Sequence, residues 1–255
     1  MSNIKSSLDQ ILHEIVMDHL AKLKDYLPGP IKKAGGTRDQ LLQRYRDDPV
    51  YSIFGLDSVE YLGATLAGGT VTSVHRKLGD IYEECIRAIF AHTFELKADD
   101  IVYSAIIRSG ENEETRNADT YLQFDRLPAR ARRLISNYCG RELRRLASSP
   151  QVNLIGLGME VRHCYQTGDS KRAQADEAMA RHLLVSGILP IMPIFCNQSN
   201  PGIVRRYRSV WVVKQGMDSY DMVRELSGYD FFDFLLRNKD DFRKPILELL
   251  RSLSP

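Results

Sequence analysis

Residues 188–196, Ile-Leu-Pro-Ile-Met-Pro-Ile-Phe-Cys, constrain the fold most, because the run is apolar at every position. A strand that is apolar without alternation is buried on both faces, and such a sheet needs helices covering it. The chain supplies them on either side. Residues 171–185 read as a helix after a break at Gly168-Asp169-Ser170, and residues 219–238 and 242–252 read as two closing helices behind a short strand at 210–214. The expected class is α/β, with a mixed central sheet flanked by helices.

Upstream, Leu8, Ile11, Leu12, Ile15, Leu20 and Leu23 recur at helical spacing over residues 7–26, and Leu27-Pro28-Gly29-Pro30 stops the pattern. A second helix is expected at 38–47. Gly63, Gly68 and Gly69 read as a flexible stretch leading to Thr72 or Ser73, either of which could cap a helix running to about residue 94. Beyond it the period changes. Residues 101–109 are β-branched and apolar, 110–114 form a charged turn, and 118–124 alternate, which together read as a hairpin, with a third strand at 152–164. Between the second and third strands lies a helical insertion carrying Arg126, Arg130, Arg132, Arg133, Arg141, Arg144 and Arg145 against a single acid, Glu142. The expected organisation is an N-terminal helical segment (1–72), a core (73–214) with a basic insertion (126–150), and C-terminal helices (215–255) packed on the core as one domain.

Composition excludes several classes. A length of 255 residues with 43% apolar content permits a solid core, and a net charge of +2 argues by itself for no partner. Cys85, Cys139, Cys164 and Cys196 show no CxxC spacing and no matching His set, so they read as core thiols of a reducing cytoplasm. No apolar signal core opens the chain and no run approaches a membrane span, so the expectation is a soluble, cytoplasmic protein without a membrane partner. There is no GxxxxGK[ST] loop, hence no expected nucleotide cofactor, and no Gly-x-Ser-x-Gly. Asp218, Asp221, Asp230 and Asp233 lack the spacing of a calcium loop.

Two acids fall at informative places. Asp119 stands near the start of the second strand, and Glu160 lies on the third within Glu160-Val161-Arg162, where Glu160 and Arg162 share a face. A carboxylate beside an apolar strand needs a cation or donors to offset its desolvation. The order from residue 73 is helix, strand, strand, strand, helix, strand. That order, with an acid on the second strand and an acid-x-basic triplet on the third, resembles the PD-(D/E)XK nuclease superfamily over residues 73–196. Leu78-Gly79-Asp80-Ile81-Tyr82-Glu83, Asn117-Ala118-Asp119, and Glu160-Val161-Arg162-His163 leading into Gly168-Asp169-Ser170 look like Type II restriction endonucleases, the ApaLI-like group above all.

The resemblance implies a restriction-endonuclease-like core and a Mg2+-dependent, sequence-specific endonuclease that cuts double-stranded DNA as a homodimer. Asp119 and Glu160 would ligate Mg2+, with the backbone carbonyl of Val161 as a further ligand. Arg162 departs from the family, where lysine is usual; a guanidinium can stabilise a phosphorane but is unsuited to lose a proton. Either Arg162 acts through charge alone, or Lys171 reaches back from the next helix, or the protein is slow or inactive. Glu83, one turn after Gly79, is a third candidate ligand if the bare glycine lets the helix approach the sheet; a solvated surface acid is its alternative. An ordinary strand-end acid paired with Arg116 is the alternative for Asp119, and His163 reads as a core histidine rather than a general base.

For DNA contact the candidates are Arg126, Arg130, Arg132, Arg133, Arg144 and Arg145, which would release counterions from phosphates. Asn197 and Gln198 with Arg205, Arg206 and Arg208 form a candidate specificity loop, amides suiting adenine and guanidiniums suiting guanine or phosphate. The plainer alternatives are a solvated face and a polar turn. A structure-specific repair or recombination nuclease and a catalytically silent DNA-binding protein are the rival functions.

Overall fold

The computed structural model describes residues 2–23, 29–109, 112–146, 152–165 and 170–251. Chain order runs α1 (Ser2–Ala21), α2 (Gly29–Lys33), α3 (Arg38–Arg46), α4 (Pro49–Ile53) and α5 (Val59–Phe94), then β1 (Tyr103–Ser109), β2 (Asn112–Ala118) and β3 (Thr120–Gln123). It continues through α6 (Ala129–Leu143), β4 (Gly156–Met159), α7 (Ser170–Val185), β5 (Ile188–Ile194), α8 (Pro201–Tyr207) and β6 (Val212–Gln215), and ends with α9 (Met217–Ser227), α10 (Phe231–Arg237) and α11 (Lys239–Arg251). The class is α/β. A mixed four-stranded sheet has the order β3-β4-β5-β6, antiparallel at its first junction and parallel at the next two, and β1 with β2 makes a small antiparallel sheet.

Two compact units are present. One holds the residues up to Leu12 together with Ile81–Arg237; the other holds His13–Asp80 and the residues from Asn238 on. The second unit is helical. Thr37 opens α3 with a capping box, its hydroxyl accepting the Gln40 amide at 3.2 Å while the Gln40 side chain accepts the Thr37 amide at 3.1 Å. Leu62 and Leu66 of α5 bury themselves against Ile31, Leu41 and Leu42.

That burial explains a correction. Gly63, Gly68 and Gly69 lie inside one continuous helix of 36 residues instead of forming a flexible lead, and Thr72 and Ser73 are interior to it. Packing outweighs the roughly 1 kcal/mol that each interior glycine costs. Among the described residues a Cβ at Gly79 would meet nothing within 4 Å, so the close approach expected through its bare backbone is not found there.

In the first unit every residue of β5 is buried, as the unbroken apolar run predicts. Tyr207, Trp211 and Leu183 fill the core beside it. Gly156 of β4 allows the tight approach of β3: a Cβ there would sit 2.8 Å from the Tyr121 ring and 2.9 Å from the Leu122 carbonyl. The hairpin differs from the reading above. β1 pairs with β2, from Tyr103↔Ala118 to Ser109↔Asn112, while β3 leaves that ribbon and pairs with β4. Alternation fixes which face a strand shows but not its partner.

Two more differences concern helices. Residues 201–207, read as part of the candidate specificity loop, form α8, because Asn200 accepts the Gly202 amide at 2.9 Å and Pro201 takes the first helical position. The expected helix at 219–238 is two, divided at Gly228, which caps α9 with φ at +75°. Gly110 of the expected turn, residues 147–150 of the basic insertion, and Gly168 and Asp169 of the expected break lie outside the described residues. Among the described residues, no helix is long and apolar enough to cross a membrane.

Candidate functional site

The last rung between β3 and β4 is Thr120↔Met159. One residue further the ladder changes its acceptor: the Val161 amide donates to the Asp119 Oδ2 carboxylate oxygen at 2.7 Å instead of to a carbonyl. Meanwhile the chain beyond β4 keeps its hold on β5. The Glu160 amide donates to the Ile191 carbonyl at 2.9 Å and the Arg162 amide to Pro193 at 2.9 Å, and Phe195 returns to the Arg162 carbonyl at 3.0 Å. Asp119 and Glu160 are thereby fixed at the ends of adjoining antiparallel strands.

Arg162 lies among these acids with its side chain only 13% exposed. Its Nη1 is 3.4 Å from Asp119 Oδ2 and donates to the Val161 carbonyl at 2.9 Å. Its Nη2 contacts Glu160 Oε1 and lies 3.6 Å from Asp176 Oδ1, while Nε donates to the Tyr165 hydroxyl at 3.0 Å. Three carboxylates thus surround one guanidinium. Burial, against the pull of the Arg162 charge, pushes the Asp119 carboxyl up to about 6, and the nearby Glu83 adds to the rise.

Asp176, on α7, is buried and anchored. The Tyr165 and Tyr207 hydroxyls donate to its Oδ2 at 2.6 and 2.8 Å, and the Trp211 indole donates to its backbone carbonyl at 3.1 Å. Glu160 and Asp176 face a cavity of about 340 Å3, which Glu114, Thr115, Arg116 and Asn117 of β2 and Met179 of α7 complete. Arg116 pairs with Glu114 at 2.8 Å and not with Asp119, so the bland reading of Asp119 as its partner is overturned.

Glu83 comes near through an intermediary: Arg87 pairs with it at 2.7 Å and donates to the Asp119 carbonyl at 3.0 Å. Val161 offers its carbonyl to Arg162. Lys171 stands in the first turn of α7, and its side chain lies outside the described residues. His163 packs its ring against Tyr82, centroids 5.4 Å apart.

The basic insertion divides into paired and unpaired arginines. Arg126 pairs with Asp100, Arg132 lies 3.7 Å from Asp125, and Arg145 meets the buried Glu142 at 2.9 Å, which Lys214 also reaches at 2.9 Å. Arg130, Arg133 and Arg144 are exposed, with no carboxylate partner among the described residues. Asn197 and Gln198 are exposed after β5, Arg205 and Arg208 are exposed on and after α8, and Arg206 pairs with Glu177.

The cysteines require a correction. Cys85 and Cys139 are free and buried, but Cys164 and Cys196 form a disulfide. Spacing in sequence hid this pair, because two parallel segments bring it together: the Cys196 amide donates to the His163 carbonyl at 3.0 Å and the Cα atoms are 5.4 Å apart. The Ser199 hydroxyl, beside both sulfurs, accepts the Tyr165 amide at 2.9 Å.

Sequence reasoning missed Asp176, Tyr165, Tyr207 and Arg87. One signal for Asp176 was present. Ala173, Asp176, Met179, Ala180 and Leu183 recur at helical spacing, and an acid on the apolar stripe of a helix must be paired inside. Compared with known proteins, the chain matches no family model, no curated protein and no solved structure.

Proposed function

We propose that this chain is a Mg2+-dependent endonuclease of the PD-(D/E)XK kind, with a restriction-endonuclease-like core, hydrolysing phosphodiesters of double-stranded DNA as a homodimer. The observation that carries the reading is the meeting of Asp119 and Glu160 at adjoining strand ends, with Arg162 between them and an open cavity beside them. Their donor chemistry suits Mg2+: both offer hard carboxylate oxygens, and the elevated Asp119 carboxyl is short of positive charge when ionised. The Val161 carbonyl is the third oxygen at hand. When bound, Mg2+ supplies Lewis acidity toward a phosphate oxygen and lowers the pKa of a bound water.

The protein's own part is electrostatic. Arg162 stays cationic through catalytic pH and cannot serve as a base, so it contributes charge and donors to the pentacovalent oxyanion. Burial works against that charge, yet Tyr165, Asp119 and Asp176 together raise its already high pKa further. Arg130, Arg133 and Arg144, without a carboxylate partner among the described residues, offer cations for phosphates, and Asn197, Gln198 and Arg205 offer base-reading groups.

A second reading has an observation in its favour. Arg162 already takes the place of a cation among three carboxylates, which suits a nuclease fold that binds DNA without cutting it. Supercoiled plasmid incubated with the protein and Mg2+ separates the two. The nuclease reading expects nicking that Asp119→Ala and Glu160→Ala abolish while DNA binding persists; cleavage by Asp119→Ala at the wild-type rate removes this site, and an inert wild type that binds DNA favours the silent protein.

A further inference from the structure

The Arg162 guanidinium is held in two directions. Nη1 and Nη2 reach toward Asp119, the Val161 carbonyl and Glu160, while Nε rests on the Tyr165 hydroxyl, which itself donates to Asp176 at 2.6 Å. Asp176 is unevenly used. Its Oδ2 accepts two tyrosine hydroxyls, but Oδ1 has no hydrogen bond among the described residues; its nearest cation is Arg162 Nη2, 3.6 Å away. The Asp176 side chain is 4% exposed, so water compensates little, and a buried carboxylate oxygen left without a donor is costly.

A divalent cation between Asp119 and Glu160 would meet a like charge already in contact with Glu160. The guanidinium must then withdraw, and withdrawing from both carboxylates without another anion would leave a largely buried charge unpaired. Asp176 Oδ1, 3.6 Å from Nη2, is an anion within reach, and a move of under about 1 Å toward it would bring Nη2 to ordinary charge-assisted hydrogen-bond length.

We infer that Asp176, aided by the Tyr165 hydroxyl, is a positioning residue that draws Arg162 off Asp119 and Glu160 and so opens the divalent-cation site. Arg162 is in this sense a resident counterion that yields its place. The inference rests on the Mg2+-dependent reading above.

Mn2+ titrated calorimetrically into the full chain at pH 7.5 tests it, in the wild type, Asp176→Asn, Tyr165→Phe, Arg162→Gln and the two double variants that include Arg162→Gln. Tyr165→Phe changes no charge and keeps the test open if Asp176→Asn fails to melt cooperatively. Arg162→Gln should bind Mn2+ more tightly than the wild type, and Asp176→Asn and Tyr165→Phe should each bind it about five- to tenfold more weakly, the size of coupling seen between contacting residues. On the Arg162→Gln background both losses should shrink to within about twofold if they act through Arg162. An equal loss from Asp176→Asn on both backgrounds would make it a plain charge effect and overturn the inference, as would an unaltered Tyr165→Phe. Plasmid nicking in Mg2+, run alongside, separates the two failures. A wild type that nicks but shows no Arg162-dependent coupling sinks the positioning role alone, whereas a wild type that neither binds Mn2+ nor nicks removes the nuclease reading and the positioning role with it.

Discussion

Asp119 terminates a strand ladder through the Val161 amide, and burial pushes its carboxyl up to about 6. An unfolded aspartate titrates near 4, so the folded chain holds this proton more tightly than the unfolded one. Its contribution to stability is therefore complete below about pH 4 and is lost as pH rises through about 6. Asp119→Asn should remove this component, so the melting temperature of the wild type should fall relative to that of the variant between pH 5 and 7. Under the proposed metal-binding role, cation affinity runs the other way, since it needs the carboxylate: Mn2+ affinity should fall by about tenfold per unit below pH 6. Glu142 presents a different residue-scale case. Its side chain is 2% exposed and neutralises Lys214, itself 15% exposed, so Glu142→Ala strands a mostly buried cation and should cost on the order of 3 kcal/mol in urea unfolding.

At the scale of elements, the turn between α7 and β5 depends on one backbone conformation. Gly187 has φ at +75°, and a Cβ there would sit 2.8 Å from the Asn153 carbonyl. Gly187→Ala should lower the urea midpoint by an amount equivalent to roughly 1–3 kcal/mol, and a variant as stable as the wild type would show that the turn relaxes freely. Elements read from sequence succeeded where one local pattern decides. The run at 188–194 has no polar position for a solvent face, so β5 was legible; the Asn200-Pro201 start of α8 was hidden because a cap followed by proline also reads as a turn. The turn expected at 110–114 overlaps the start of β2, because the charges of Glu113 and Glu114 suit an exposed ribbon as well as a loop. Likewise, Asp119, Glu160 and Arg162 were legible as neighbours because strand ends place them. Asp176, Tyr207 and Arg87 sit on helices, whose facing is decided only when they pack.

For the whole molecule, charge and covalent linkage make separate predictions. Under the proposed DNA-binding role, replacing Arg130, Arg133 and Arg144 together with glutamine should weaken binding to cognate and random duplexes alike and flatten the slope of log affinity on log salt by roughly 2–3. An unchanged slope would assign these arginines to plain solvated surface. The Cys164–Cys196 disulfide spans 32 residues of sequence. By the chain-entropy relation, reducing it with a dithiol should cost up to about 4 kcal/mol, read as a lowered urea midpoint that a Cys164→Ser and Cys196→Ser double variant reproduces without reductant. The bridge also turns this stretch into a covalent ring that includes α7 and β5, with Arg172 and Arg181 on its circumference. A protease that nicks the chain once inside the ring cannot divide it: the product should migrate as one species on a non-reducing gel and part into two fragments only when the sulfurs are separated.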